Sequence, residues 1–463
     1  MVDFRPRRTG VRRVLLILAT GTLISVTSMT LGPVISAQRT GGLPALVLPS
    51  ASRVDRPIVI RDDPGTVPKP ATEPPFPARS GRPGIAAIGS APDEPEGHRA
   101  TDVNRLALQA RLDQLRERYG IPGISVTILF ADGTSWVGVG GVTDVATKTP
   151  VTPSTGFAIA SITKTFTASL ILALVEDGRL TLDDEVRDHL PDLEINARIT
   201  VRQLLDHTSG LRDYFFHPTI DRELLTDPSR RWDSAEAMRY VGKAYFKPGA
   251  GWHYSNTNYL VLGLLAEAVG EAPLAEQIRS RFLRPLGLRH TWYQPTETST
   301  TTVAHGYRFT SSARDAKPID LSDGTALVPF TSVVTAAAGA GGLAASSSDL
   351  ARWARALYAG DILAASSVEA ILEDVARTQR HEPTVAYGLG MQLVDIDGRR
   401  SFGHSGRLLG FRSAVRWLPD DDIAIAVLTN QSRTDPGIFV RALLKIVAQG
   451  TGTTGPRTSI HPQ

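Results

Sequence analysis

The 463-residue chain is 42% apolar and 21% charged, ordinary globular values that exclude wholesale disorder and allow a sizeable core. It has no cysteine, which removes disulfides, thiolate metal sites and a cysteine nucleophile together. The net charge of +3 sits at the N-terminus, where Arg5, Arg7, Arg8, Arg12 and Arg13 face only Asp3; the rest is near neutral and offers no basic surface to nucleic acid.

After those arginines, Val14 to Gln38 carries no charge, is apolar at first, and then turns to small residues around Ser36 and Ala37. A basic head, an apolar middle and a small-residue exit predict that residues 1–38 are a secretory signal or an uncleaved signal anchor. The positive-inside rule keeps the arginines in the cytoplasm and sends the remainder across. The expected location is therefore extracytoplasmic, either secreted or anchored, with membrane contact only through this segment. Residues 39–100 read as a linker: 12 of the 31 prolines fall between Gly41 and Gly97, and runs such as Pro74-Pro75-Phe76-Pro77 favour extended polyproline backbone. Residues 451–463 read as a disordered tail.

Residues 101–450 form the predicted body. Leu106, Leu108, Leu112 and Leu115 have helical spacing, and Gly120-Ile121-Pro122-Gly123 ends that helix. Ile124–Leu129 alternates as a strand, Ala131-Asp132-Gly133-Thr134 turns, and Ser135–Val139 returns. Helices follow over Thr163–Glu176, Val201–His207, Asn258–Val269 and Asp349–Tyr358, the last with Ser346 at capping-box spacing from Asp349. Strands return at Arg412–Trp417 and Ile423–Leu428, and a closing helix runs from Ile438 to Val447. Strands at both ends with helices between them predict an α+β (mixed α/β) fold: one sheet built from distant segments, with a mainly helical region inserted.

Several chemistries lack their motifs. There is no Gly-x-Ser-x-Gly elbow, no His-Glu-x-x-His and no phosphate-binding loop, and the ten histidines are scattered. No cofactor and no metal is expected. What remains is Ser161-Ile162-Thr163-Lys164 at the start of a helix. Positions i and i+3 share a helix face, so hydroxyl and amine come within hydrogen-bonding reach. The first turn also aims free N–H groups at an oxyanion. Only seven of the 50 basic residues are lysine. Arginine cannot give up its proton at working pH, so a lysine retained here fits a site that needs a removable one.

Two further motifs follow in order, Tyr254-Ser255-Asn256 and His404-Ser405-Gly406. With them stand the words Leu204-Leu205-Asp206-His207-Thr208-Ser209-Gly210-Leu211, Pro248-Gly249, Tyr254 to Tyr259, and Gly341-Gly342-Leu343. From about residue 105 to 449 the chain resembles the serine penicillin-recognising family: class C β-lactamases, D-Ala-D-Ala carboxypeptidases and their esterase relatives. The resemblance implies an antiparallel sheet flanked by helices and an acyl-enzyme on Ser161. It implies that Lys164 takes or relays the serine proton, that Tyr254 passes one to the leaving group, and that Asn256 holds the substrate amide and supports Lys164. His404 stands where the third motif places its basic residue. The N–H groups of Ser161 and Arg407, beside Ser405 and Gly406, would form the oxyanion hole. Class C β-lactamases have lysine where this chain has His404, which weakens that reading. The Arg407 guanidinium either grips a substrate carboxylate or points outward.

Other residues read blandly. His207 braces the turn that follows its helix. Tyr214-Phe215-Phe216 is cleft wall or core, Trp252 and His253 pack, Tyr387 leads into a strand, and Asp420-Asp421-Asp422 is a solvated turn. The expectation is an exported serine hydrolase acting on an amide or ester bond, of D-Ala-D-Ala carboxypeptidase or esterase type. The alternatives are a class C-like β-lactamase, or a non-catalytic protein that binds penicillin or wall peptides. Expected partners are small-molecule or peptide substrates, among them peptidoglycan peptides and β-lactams.

Overall fold

A computed structural model describes residues 104–309, 311, 316–382 and 386–450; the expected export segment, linker and tail lie outside the described residues. Helix α1 (Arg105–Tyr119) opens on Asn104, whose Oδ1 accepts the Ala107 N–H at 2.9 Å, a cap worth about 1 kcal/mol. It closes on Gly120 at φ 59°, left-handed backbone that favours glycine. Strands β1 (Gly123–Leu129) and β2 (Ser135–Asp144) form the expected hairpin, and β3 (Thr149–Pro150) extends its edge.

Helix α2 (Thr163–Glu176) is buried on every side from Thr163 to Leu174; its apolar residues pack in the core and its buried polar ones, such as Thr165 and Thr167, are hydrogen-bonded. Phe166 stacks on Trp353 with centroids 3.8 Å apart. Helix α3 (Val201–Leu205) is shorter than expected. Its start is a capping box between Thr200 and Gln203, but His207 at φ 67° is already left-handed and outside the helix. Helix α4 (Asn256–Gly270) starts two residues earlier than expected, so Asn256 sits in its first turn. Helix α5 (Thr331–Gly341) breaks at Ala338, φ 40°. Helix α6 (Ser347–Tyr358) is capped by Ser346, but Asp349 does not reciprocate; its carboxylate accepts the His290 N–H and the Thr291 hydroxyl instead.

The chain then returns to the sheet through β4 (Gln392–Ile396), β5 (Arg399–Leu408), β6 (Phe411–Leu418) and β7 (Ile423–Thr429), and closes with α7 (Gly437–Gly450). The seven-stranded order is β3-β2-β1-β7-β6-β5-β4, antiparallel throughout. The α+β sheet joined from distant segments is therefore present, with Val126 directly opposite Val427.

One sheet face buries Ile124, Val126, Ile128, Ile425 and Val427 against α1 and α7, where Leu112 is fully buried. Truncating such a leucine to alanine costs about 2–5 kcal/mol. The intervening β1 residues face the other way. Ser125 and Thr127 are buried, and both meet the Ser347 hydroxyl, at 2.8 and 2.7 Å. That pairing avoids the cost of unsatisfied buried hydroxyls. Among the described residues no helix is long and apolar enough to cross a membrane.

Candidate active site

Ser161 does not lie inside α2 but in a 3₁₀ turn, Ala160–Ile162, that leads into it. Ala160 has φ 51°, a left-handed conformation that costs a non-glycine residue about 1–3 kcal/mol. Contacts on both sides hold it there. The Ser413 hydroxyl donates to the Ile159 carbonyl at 2.8 Å, and the Thr163 hydroxyl accepts the Leu343 N–H at 3.1 Å. Gly406 on β5 presses against the same turn; a Cβ there would fall 2.2 Å from the Ile159 carbonyl oxygen. The third motif therefore needs glycine at this place for steric reasons.

Lys164 follows one turn later and is fully buried. Its Nζ reaches Ser161 Oγ at 3.1 Å, Asn256 Oδ1 at 2.7 Å and the Ala340 carbonyl at 2.8 Å. The break in α5 at Ala338 precedes that carbonyl by two residues. Nζ also lies 5.0 Å from the Tyr254 ring centroid and 5.5 Å from that of Tyr259. Asn256 is held in turn by Asp213, whose Oδ2 accepts its backbone N–H at 3.1 Å and its Nδ2–H at 2.8 Å. Asp213 Oδ1 accepts the Phe215 N–H at 3.0 Å. Burial pushes the Asp213 carboxyl up to about 6, against the pull of these hydrogen bonds and of Lys164.

The third motif is also pinned. His404 Nδ1 lies 2.6 Å from the Ser405 carbonyl, which can only accept, so Nδ1 carries the proton. Nε2 then accepts from the Tyr387 hydroxyl at 3.1 Å. Burial first, and the Lys164 charge second, hold His404 well below the usual histidine range. Tyr387, expected only to lead into a strand, is thus part of the site. The guanidinium that touches Ser405 belongs to Arg416: its Nη2 donates to Ser405 Oγ at 2.7 Å and to Gln392 Oε1 at 3.0 Å. Burial pulls Arg416 down to about 10. Arg407 stands half-buried on β5, in register with Arg412.

His207 does brace its turn, and it does more. Its Nδ1 accepts the Ser255 N–H at 3.2 Å and Asn258 Nδ2–H at 3.1 Å. Its ring lies 4.3 Å from that of Tyr254, centroid to centroid. Burial and then the Lys164 charge hold it well below its usual range. Ser209 donates to Asn258 at 2.7 Å, and the Gly249 N–H donates to the Thr208 carbonyl at 2.9 Å. The separated sequence words around His207, Gly249 and Tyr254 are therefore one bonded block. Tyr214 and Phe215 are core, with the Tyr214 hydroxyl on the Ala336 carbonyl at 2.7 Å. Trp252 and His253 pack as expected, His253 stacking on Tyr245 at 3.8 Å. Asp421 and Asp422 are more than solvated turn residues, since they pair with Arg399 and Arg355.

Sequence reasoning missed Asp213 and Arg416. The signal for the first is a lone acid just after the Thr208-Ser209-Gly210-Leu211 word. Elsewhere, Asp144, His305 and Asp320 bring ligand-type atoms within 4.8 Å of one another at a partly exposed place, where His305 pairs with Asp320.

A large antiparallel sheet, with a serine and a lysine one turn apart packed against its strand β5, defines the serine penicillin-recognising class. The chain belongs to the Beta-lactamase family, whose profile matches residues 108–449. Protein flp of Staphylococcus aureus (strain N315) is 28% identical over 340 residues; the match takes in 72% of this chain and only 64% of flp. Penicillin-binding protein 4 of Amycolatopsis lactamdurans is 30% identical over 339 residues, covering 70% of this chain and 84% of that protein. The solved structure of D-amino acid amidase from Ochrobactrum anthropi SV3, complexed with D-phenylalanine, superposes with a TM-score of 0.63. It is 25% identical and covers 74% of this chain and 98% of its own.

Proposed function

We propose that this chain is a serine hydrolase that works outside the cytoplasm and cleaves an amide or ester bond through an acyl-enzyme on Ser161. The activity is of D-Ala-D-Ala carboxypeptidase or esterase type. One observation carries the reading: Lys164 Nζ lies within hydrogen-bonding distance of Asn256 Oδ1, the Ala340 carbonyl and Ser161 Oγ. The first two can only accept. A neutral amine satisfies both with its two N–H groups, which leaves its lone pair facing the serine hydroxyl.

In the forward step that lone pair takes the Ser161 proton while Oγ bonds to the substrate carbonyl carbon. The backbone N–H groups of Ser161 and Arg407 receive the developing oxyanion. Collapse breaks the bond to the leaving amine or alkoxide, which takes a proton by way of Tyr254. Water then attacks the acyl group by the same route reversed. The D-amino acid amidase likeness supports an amide beside a D-residue, and the basic head with its charge-free stretch supports export. A neutral, pinned His404 supports neutral acyl groups over strongly anionic ones.

The test is intact-mass analysis of the full chain after exposure, in parallel, to a labelled penicillin, a D-Ala-D-Ala peptide and a short-chain ester. Turnover of the peptide or the ester is expected. A stable penicilloyl adduct with no turnover of either would favour the penicillin-binding alternative, and rapid penicillin hydrolysis would favour the β-lactamase.

A further inference from the structure

Asn256 gives an acceptor to Lys164 only while its amide faces one way. Turned over, it would aim Nδ2 at Lys164 and its oxygen at Asp213. Asp213 prevents this: a carboxylate only accepts, and its Oδ2 already holds both the backbone N–H and the Nδ2–H of Asn256. The carboxylate is itself fixed from the other side by the Phe215 N–H and is buried to 1% exposure. We propose that Asp213 is a positioning residue of the acylation step, setting the Asn256 amide and, through it, the direction of the Lys164 lone pair. The inference rests on the acyl-enzyme reading above and deepens it. It also gives the site its counter-charge, because the carboxylate lies one amide away from Lys164.

Two consequences separate this role from a merely structural one. The first is kinetic. A carboxamide at position 213 has one oxygen for the three N–H groups that Asp213 now serves, so the Asn256 amide loses its fixed orientation. The second is a proton effect. A nearby carboxylate holds a proton on lysine more firmly, so removing it moves the acidic limb of acylation to lower pH. The other titratable groups that face Lys164 are His207 on the turn after α3, Tyr254 just before α4, Tyr259 on α4, and His404 on β5. The substitution changes none of them.

The experiment follows covalent labelling of the full chain by a serine-reactive fluorophosphonate from pH 5 to 9, in wild type and Asp213→Asn. The expected result is a labelling rate lower by about ten- to hundredfold, the worth of one charge-assisted hydrogen bond, with the acidic limb shifted to lower pH. Labelling at the wild-type rate with an unmoved limb overturns the inference. Failure of wild type itself to label at Ser161 would overturn the acyl-enzyme reading instead, so the two failures are distinct. Should Asp213→Asn not fold by circular dichroism, Asp213→Glu keeps the charge and displaces the oxygen. It is expected to keep the wild-type limb and lose rate, and a wild-type rate in that variant overturns the inference equally.

Discussion

The Tyr387 hydroxyl lies 3.1 Å from His404 Nε2, while His404 Nδ1 meets the Ser405 carbonyl at 2.6 Å. Both imidazole nitrogens are thus occupied by neutral partners, and the third motif presents a fixed, uncharged ring beside Lys164. A lysine in that place would bring a second ammonium to the site and remove the imidazole that Tyr387 meets. His404→Lys is therefore expected to lower turnover of a neutral ester such as p-nitrophenyl acetate more than that of a penicillin. The measurement is the ratio of the two kcat/KM values in wild type and variant. If the penicillin suffers more, His404 is a carboxylate anchor and this account of the third motif fails.

Ser161 combines the strained turn after Ala160 with a buried amine at 3.1 Å. Ser161→Ala is expected to abolish covalent labelling by a serine-reactive phosphonate. Undiminished labelling of a variant that keeps its circular dichroism spectrum would place the nucleophile elsewhere.

Lys164→Arg keeps a cation but loses a group able to shed its proton. Acylation is expected to slow by at least about a hundredfold, the lower end for a positioned acid–base group. Rapid-mixing kinetics would decide this. A near-normal rate would mean that Lys164 supplies only charge and that the serine proton goes elsewhere.

Stability should depend on pH through the buried histidines. Folding holds His404 well below its usual range, so an unfolded chain takes up a proton near 6.5 that the folded chain refuses. This contribution is full above about 6.5 and is lost as pH falls towards the folded value, by up to about 1.4 kcal/mol per pH unit. His207 acts with the same sign. Asp213, raised to about 6, acts oppositely, and its contribution is lost as pH rises through that value. Tm of wild type is expected to fall more steeply between pH 6.5 and 5 than Tm of His404→Gln. Parallel slopes would show that His404 carries no such linkage.

Much of this protein is legible in its sequence. The α2 bounds Thr163–Glu176 are legible there, because an apolar run with a polar start is local information. The approach of Ser161 to Lys164 follows from their spacing of three along one turn, even though that turn begins as 3₁₀ rather than α. The hairpin pattern at each end of the body was enough to predict one sheet, since alternating apolar strands separated by a helical stretch need one another to bury their faces.

Only the tertiary structure decided what surrounds the amine and the imidazole. The Ala340 carbonyl reaches Lys164 across 176 residues, and it faces the amine just past the break of α5 at Ala338. Asp213 meets Asn256 across 43 residues, and Arg416 meets Ser405 from the neighbouring strand. Tyr387 turns from a strand lead-in into the partner of His404. Ala340, Asp213 and Tyr387 stand in none of the three spaced motifs, and the strand pattern around Arg416 does not mark its side chain. Each is a single side chain or carbonyl whose role comes from a buried polar group needing a partner, and which partner it finds depends on how distant segments pack.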